Sequence, residues 1–213
     1  MKKTVISAIF GATLLSGTSA LAAPIMGGQT NVEVTAPLAD LGITPALLNG
    51  ELVSGQPLTL GFDVTGGDLD FTTLAGTIEH AGSSISLTGD LGTVDNSDDV
   101  TVVLSNFLID TNNATLAANV NGGGMVDLFS LDFSELSATE ITDLTAPQVS
   151  LTFLEAASDL LEQSFALEED ALSGAQFGLA ATAPTPADVS EPALFSAFAG
   201  GLFGLMMFRR RSK

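Results

Sequence analysis

The chain of 213 residues lacks cysteine, tryptophan and tyrosine, and it has no lysine or arginine between residues 4 and 208. Without cysteine, the fold cannot use the disulfides that stabilise many exported proteins. Without Trp and Tyr, whose rings anchor many carbohydrate sites and interfaces, a stacking type of sugar-binding module is disfavoured. The absence of Cys from the chain, and of Lys from residues 4–208, also removes two of the usual covalent nucleophiles.

The basic residues stand only at the two ends of the chain. All 25 Asp and Glu residues lie between these ends, and one of them, Glu191, belongs to the C-terminal segment. The region from about residue 24 to 188 therefore has a net charge near −24 or −25, depending on where it ends. Such a surface repels nucleic acid and anionic lipid, so we expect no nucleic-acid partner. The six basic residues are Lys2, Lys3, Arg209, Arg210, Arg211 and Lys213.

The N-terminal segment has the order of features that a signal peptidase recognises. Lys2 and Lys3 are followed by an apolar run at residues 4–15 and then by small residues that end in Ala20-Leu21-Ala22. The apolar run is too short to span a bilayer, which takes about 20 residues. We therefore predict a signal peptide at residues 1–22, with signal peptidase as a partner and cleavage after Ala22 or Ala23.

A second apolar run, residues 193–208, stands directly before the basic cluster Arg209-Arg210-Arg211. A helix of this length covers about 24 Å, close to the hydrocarbon thickness of a bilayer. Positively charged flanks remain on the cytoplasmic side. We predict a membrane helix at 193–208 that holds the exported body at the outer side of the inner membrane.

The C-terminal segment resembles a PEP-CTERM sorting signal, which combines a Pro-Glu-Pro-type motif, a membrane helix and a basic tail. Ser190 stands in place of the first proline of that motif, whereas Glu191 and Pro192 match it. The resemblance implies that an exosortase of a Gram-negative bacterium cuts the chain near the motif and delivers the body to the cell surface or the exopolysaccharide matrix. A tail-anchored protein that is never cut is the alternative. The residues of the predicted signal are Val189, Ser190, Glu191, Pro192, Arg209, Arg210 and Arg211.

The body between these segments has the pattern of a β-rich domain. Apolar and polar residues alternate in many short runs, among them 30–35, 58–64 and 100–109, and Gly, Asn or Asp residues separate the runs. We predict a mainly β domain at 23–180, an antiparallel sandwich or an open barrel, with one C-terminal helix at 154–172. Residues 181–188, rich in Pro, Ala and Thr, are predicted to be a linker.

Two runs of this domain, residues 74–80 and 83–88, are separated by Ala81-Gly82, which predicts a hairpin. The only histidine, His80, ends the first run. A Ser-His-Asp triad around it, or a pair of carboxylates acting as a glycosidase, would make the protein a secreted hydrolase. No G-x-S-x-G motif is present, and we expect His80 to be a hydrogen-bonded residue at the edge of the core and the protein not to be an enzyme.

Calcium is the ion that this composition suits, because oxygen ligands suffice for it. The densest acidic cluster, residues 95–99, contains Asp95, Asp98 and Asp99 in a predicted loop. This cluster does not match the pattern of an EF-hand loop. A solvated loop with Asx turns is the alternative interpretation, and we expect no other cofactor.

The body also resembles, over residues 76–87, 103–110 and 114–120, the strand pattern of a surface haem-binding domain of bacterial iron uptake. The shared feature is the His80-Ala81-Gly82 segment followed by alternating apolar residues. In that family a tyrosine takes part in binding the haem iron, and this chain has none. The resemblance therefore implies a β-rich fold but no haem site, although His80 is a candidate contact for another small ligand.

Taken together, these features favour an exported surface or extracellular-matrix protein with a structural or adhesive role and no enzymatic activity. Exopolysaccharide is the expected partner of the body, with calcium as a bridge between its acids and an anionic polymer. A small-ligand-binding surface protein built on the haem-type scaffold is the second hypothesis, and a hydrolase is the third.

Overall fold

The computed structural model describes residues 22–89 and 99–187. Residues 1–21 of the predicted signal peptide, the whole predicted sorting segment 189–213 with its helix 193–208, and Asp95 and Asp98 lie outside this part of the chain. Within the two described ranges, no helix combines the length and the apolar character that crossing a membrane requires.

Antiparallel β-strands form most of the described chain, which confirms the predicted mainly β fold. Short helical segments occur at Leu38–Leu41 (a 3-10 turn), at Ala138–Ile141 (α1) and at Glu155–Phe165 (α2). The strands are β1 (Ala23–Val34), β2 (Ile43–Asn49), β3 (Glu51–Gly55), β4 (Leu58–Asp63), β5 (Gly66–Leu69), β6 (Gly76–Gly89), β7 (Val100–Asp110), β8 (Thr115–Val120), β9 (Met125–Asp132), β10 (Val149–Phe153) and β11 (Gln176–Pro186).

The sheet closes on itself because its first and last strands pair. Neighbouring strands follow the order β11-β10-β9-β8-β7-β6-β5-β1, and β1 pairs with β11 from Ile25↔Pro186 to Val34↔Gly178. The structure is therefore a barrel and not a sandwich, but it is closed, whereas the sequence predicted an open one. Both ends of the described chain meet at one pole of this barrel, where the backbone N–H of Ala187 donates to the carbonyl of Pro24 at 2.8 Å.

One side of the barrel wall is split into two branches. The start of β1 pairs with β5, but the rest of β1 pairs with β4, which in turn pairs with β3. The far half of β6 pairs instead with β2. Although a turn at Asn49–Gly50 joins β2 to β3, no pairing between these two strands closes the wall.

Phenylalanine fills much of the barrel interior, which follows from the absence of Trp and Tyr. The rings of Phe129, Phe153 and Phe177 pack with centroids 4.8–5.6 Å apart, and those of Phe62 and Phe107 lie 5.2 Å apart. Offset and tilted pairs of this kind contribute about 0.5–1.5 kcal/mol each beyond their buried area. The barrel is thus held by close packing of apolar side chains.

The predicted hairpin at Ala81-Gly82 is wrong, because β6 runs through it as one strand. The register with β7 shifts between His80 and Ser84. Gly82, with a φ of 85°, takes up the extra residues, and its N–H donates to the Asn106 side chain at 2.8 Å. A bulge, rather than a turn, interrupts the alternation here.

The predicted helix at 154–172 is shorter in the structure, and α2 ends at Phe165. Ala166 is left-handed, with a φ of 50°. The buried side chain of Glu162 accepts hydrogen bonds from the backbone N–H groups of Asp170 and Leu172, at 3.1 and 2.7 Å. These bonds fold the following segment back against the helix. The apolar residues of that segment continue the helical spacing in the sequence, although the helix itself has already ended.

The linker predicted at 181–188 is also wrong for most of its length, since β11 extends to Pro186. β10 leaves β11 at the pair Val149↔Ala180, so β11 has only β1 beside it from there on. Prolines are tolerated where one edge of a strand is unpaired. Pro184 and Pro186 can therefore occur in this strand, because no strand lies on the open edge to accept the N–H that proline lacks.

Candidate functional site

His80 lies inside the barrel, in the middle of β6. Its neighbours along the strand alternate, with Ile78 buried and Glu79 exposed, so Ile78 and His80 point inward. His80 is only 2 % exposed. The prediction of a hydrogen-bonded histidine is correct, but the residue belongs to the barrel interior rather than to a turn at its edge.

The imidazole is hydrogen-bonded to Thr30, which is in turn hydrogen-bonded to Thr182, and both threonines come from distant parts of the chain. Nε2 lies 2.7 Å from Oγ1 of Thr30 on β1. Thr30 Oγ1 donates in turn to Oγ1 of Thr182 on β11, at 2.9 Å. With Thr30 Oγ1 assigned as the donor to Thr182, the consistent tautomer of His80 has its proton on Nε2, which donates to Thr30. Both threonines are buried.

The other ring nitrogen, Nδ1, has no hydrogen-bond partner among the described residues. Burial lowers the pKa of His80 from 6.5 to about 4, because the interior disfavours the charged ring. The Phe107 backbone and the carboxylate of Asp63 act in the opposite direction but do not outweigh burial. His80 is therefore a neutral imidazole at pH 7.

Two small cavities adjoin this group inside the barrel. The first has a volume of about 30 Å³ and includes Thr30 and His80 in its wall; the second has about 50 Å³ and includes Thr182. Ile109, Leu116 and Leu151 line both. Pockets for small organic ligands have about 300–1,000 Å³, so the interior has room for water-sized molecules only.

Sequence reasoning missed both threonines. Thr30 could have been found, because the alternation that places Val32 and Val34 on one face also places Thr30 there, as the polar member of an apolar row. Thr182 gave no such signal, since its segment has the composition of a linker. Neither residue could be joined to His80 without the pairing of β1 with β11.

The arrangement does not form a catalytic triad around His80. Its hydrogen-bond partner is Thr30 rather than serine, and among the described residues no carboxylate is bonded to the ring. The only buried carboxylate in the described ranges, Glu162, binds backbone N–H groups. The chemistry that the site offers is that of one uncharged, desolvated imidazole in an apolar wall.

Of the three candidate calcium ligands, Asp99 alone lies in the part of the chain that the structure describes. Asp99 directly precedes β7, whereas Asp95 and Asp98 lie outside the described residues. In the rest of the chain that the structure covers, no three His, Asp or Glu side chains gather as a metal site would require. The residues of the predicted sorting signal (Val189, Ser190, Glu191, Pro192, Arg209, Arg210 and Arg211) also lie outside the described ranges.

Several described carboxylates instead cap their own turns. Asp70 accepts from the backbone N–H of Thr72, and Asp110 accepts from those of Asn112 and Asn113. These backbone hydrogen bonds are the main reason that the pKa of each carboxyl lies below its ordinary value. The acids therefore act as solvated turn residues, which is the alternative that the sequence left open for acidic loops.

Comparison with known proteins gives a likeness of fold. No known protein family matches the sequence, and no curated protein is significantly similar to it. A solved structure is similar: the C-terminal domain of HtaA from Corynebacterium glutamicum, with 20 % sequence identity and a TM-score of 0.52. The match covers 76 % of this chain and 98 % of that domain. The barrel described here thus shares its overall fold with the C-terminal domain of HtaA.

Proposed function

We propose that this chain is an exported surface protein that an exosortase sorts, and that its acidic barrel has a structural or adhesive role in an exopolysaccharide matrix. One observation carries the proposal: every basic residue lies in a terminal segment that processing would remove, and the 25 acids lie between these segments. After both cuts, the body would have neither Lys nor Arg. Its function would then depend on carboxylates, amides, hydroxyls and backbone groups.

The first and last residues of the barrel support this proposal. The barrel begins at Ala23, directly after the predicted signal peptide, and β11 ends at Pro186, before the predicted sorting motif at 189–192. A cut after Ala22 and a cut near residues 189–192 would thus leave every strand intact, and a cut after Ala23 would remove only the first residue of β1. Nearly all the acids of the described residues are on the outer surface, Glu162 being the buried one, so an acidic exterior surrounds an apolar interior.

Calcium and the anionic polymer belong to the same proposal. A body with about 24 carboxylates and no internal cation binds an anionic polysaccharide only through a bridging cation, and Ca²⁺ accepts oxygen ligands from both. Asp95, Asp98 and Asp99 are the candidates for such a bridge. Signal peptidase, the exosortase and the inner membrane would be transient partners during export.

Mass spectrometry of the native protein, from host cells with and without the exosortase, tests the sorting step. We expect a C-terminus near residue 192 in the parent strain and an intact tail without the enzyme. The double variant Glu191→Ala/Pro192→Ala should keep its tail, whereas Thr185→Ala, a change in the preceding strand, should be cut normally. A C-terminus at Lys213 in both strains contradicts the proposal.

A second candidate function is the binding of a small ligand inside the barrel. The observation in its favour is a buried imidazole whose Nδ1 has no partner among the described residues. Haem is the ligand of the family that the sequence resembles, but it does not fit here. The adjoining cavities have about 30 and 50 Å³, and the chain contains no tyrosine. A ligand must therefore be very small or must open the barrel.

Ligand titration of wild type and His80→Ala tests this second function. The hypothesis predicts that the variant loses affinity for the ligand that binds inside, while an exposed-surface change such as Thr44→Val has no effect. A His80→Ala variant that folds and binds every tested ligand as the wild type does contradicts it.

A further inference from the structure

The pole of the barrel where both chain ends meet carries exposed apolar side chains. Met26 is 74 % exposed and Phe71 is 38 % exposed. Met26 lies next to the pair Ile25↔Pro186, and Phe71 lies two residues after the pair Ala23↔Leu69. Leu48, Leu52, Val53 and Met125 are exposed elsewhere on the described surface, and Met26 and Phe71 are the exposed large apolar residues of this pole.

Met26 is exposed because of a bulge in β1. The register with β11 shifts between Ile25 and Gly27, and Met26 is the extra residue. A bulged residue is displaced from the regular alternation of the strand. Its side chain consequently projects from the wall instead of joining the core or an opposing strand.

Phe71 lies in a turn with several hydrogen bonds. The side chain of Asp70 accepts hydrogen bonds from the N–H groups of Thr72 and Thr73, at 2.8 and 3.3 Å. The Asp70 carbonyl accepts from Leu74 N–H at 2.6 Å, and the Asp70 N–H donates to Ala75 at 2.9 Å. A polar residue would suit an exposed position in such a turn. Phe71 is therefore a partly exposed apolar side chain in a hydrogen-bonded turn at this pole.

The chain that leaves this pole is short before its apolar run begins. Five residues separate Ala187 from position 193, and an extended chain reaches about 3.4 Å per residue. The start of the predicted membrane helix is thus within about 20 Å of the pole. Ala23, which directly follows the predicted signal peptide, lies at the same pole, so the segment that enters the membrane first also leaves from there.

We propose that this pole, with Met26 and Phe71 at its tip, lies against the outer surface of the lipid bilayer for as long as the C-terminal segment anchors the chain. This inference rests on the anchor that the proposed function includes. Partial insertion of one aromatic and one thioether side chain supplies the contact. Asp68, Asp70 and Asp110 lie at or near the same pole, and no described residue is basic, so the surface fits zwitterionic rather than anionic lipid.

Single-tryptophan variants test the orientation, because the natural chain has no Trp or Tyr to interfere. The full chain would be reconstituted in phosphatidylcholine vesicles with and without brominated acyl chains. We expect Phe71→Trp and Met26→Trp to show blue-shifted emission and quenching by the brominated lipid. Leu52→Trp is the matched control: Leu52 is 59 % exposed but lies about 25 Å farther along the wall, and we expect no quenching there.

Phe203→Trp, within the predicted membrane helix, separates the two possible failures. Quenching at position 203 without quenching at 71 and 26 overturns the orientation and leaves the anchor in place. Absence of quenching at position 203 overturns the anchor and the orientation together. Equal quenching at positions 52 and 71 also overturns the inference, because the barrel would then have no preferred pole. Circular dichroism of each variant confirms that the barrel is folded.

Discussion

His80 couples protonation to folding. Its pKa is about 4 in the folded barrel, against an ordinary value of 6.5. The unfolded chain therefore takes up the proton first as the pH falls, which favours unfolding. The contribution is fully present above pH 6.5 and is lost progressively between pH 6.5 and pH 4. At about 1.4 kcal/mol per pKa unit, the loss amounts to about 3 kcal/mol.

Urea unfolding of wild type and His80→Gln across this pH range measures the effect. Gln has no titrating group, so the difference in unfolding free energy between the two proteins should change by about 3 kcal/mol between pH 7 and pH 4. The carboxylates titrate in both proteins and cancel in the comparison. A constant difference would show that the His80 ring is charged or accessible in the folded state.

Thr30 links His80 to Thr182. Thr30→Val removes the hydroxyl but keeps the shape, leaving the buried Nε2–H of His80 without an acceptor. An unsatisfied buried donor costs about 1–3 kcal/mol. We expect the unfolding free energy to fall by that amount, as measured by chemical denaturation. Thr44→Val, at an exposed position on β2, is the control and should change stability by less than about 0.5 kcal/mol; equal effects would remove the proposed role of Thr30.

The pairing of β1 with β11 is the element contact that makes the sheet a barrel. Gly28 lies at this contact, with a φ of 123° that disfavours side chains. A Cβ at Gly28 would also collide with the carbonyl oxygen of Ala183 on β11. The close approach of the two backbones therefore depends on this glycine.

Gly28→Ala should destabilise the barrel by about 2 kcal/mol or more, because it combines backbone strain with a steric clash. Gly27→Ala is a control one residue away: a Cβ there meets nothing within 4 Å. Amide hydrogen exchange should show faster exchange along β1 and β11 in Gly28→Ala only. If the two variants were equally stable, the backbones of β1 and β11 could move apart without cost, and their contact would not depend on Gly28.

At the level of elements, alternation in the sequence located most strands but not their limits. The sequence of β6 looks like two strands because the bulge at Gly82 interrupts its period of two. The sequence of β11 looks like a linker because it contains Pro184 and Pro186, and proline is rare in strands. Both prolines are tolerated because β10 begins only at Val149, so the later part of β11 has no neighbour on that edge. The end of α2 depends on Glu162, which binds backbone groups eight and ten residues away.

On the scale of the whole molecule, repulsion between like charges opposes the folded state. The body has no Lys or Arg to pair with its acids, so the surface carboxylates repel one another. Salt screens such repulsion over about 10 Å at 0.1 M. We expect the melting temperature to rise by several degrees between low and moderate NaCl, since 1 kcal/mol corresponds to about 2–4 °C for a chain of this size. A melting temperature independent of salt would contradict this view.

The calcium hypothesis predicts a further rise in the melting temperature. At equal ionic strength, CaCl₂ should raise the melting temperature more than NaCl does, because a bound ion stabilises the folded state beyond screening. Asp95→Asn/Asp98→Asn/Asp99→Asn should remove the difference, whereas neutralising Asp159 on α2 should leave it. Equal melting temperatures in the two salts would contradict calcium binding.

The sequence by itself determined the charge distribution, the predicted terminal signals and the mainly β character of the body, because these depend on composition and on local periodicity. Only the tertiary structure decided that the sheet is a closed barrel and that His80 lies inside it. The physical reason is distance along the chain: Thr30 and Thr182 are separated by 152 residues, and no local pattern encodes their meeting. The polar site, the shared pole of the chain ends and the strand character of residues 181–186 all follow from that one long-range pairing of β1 with β11.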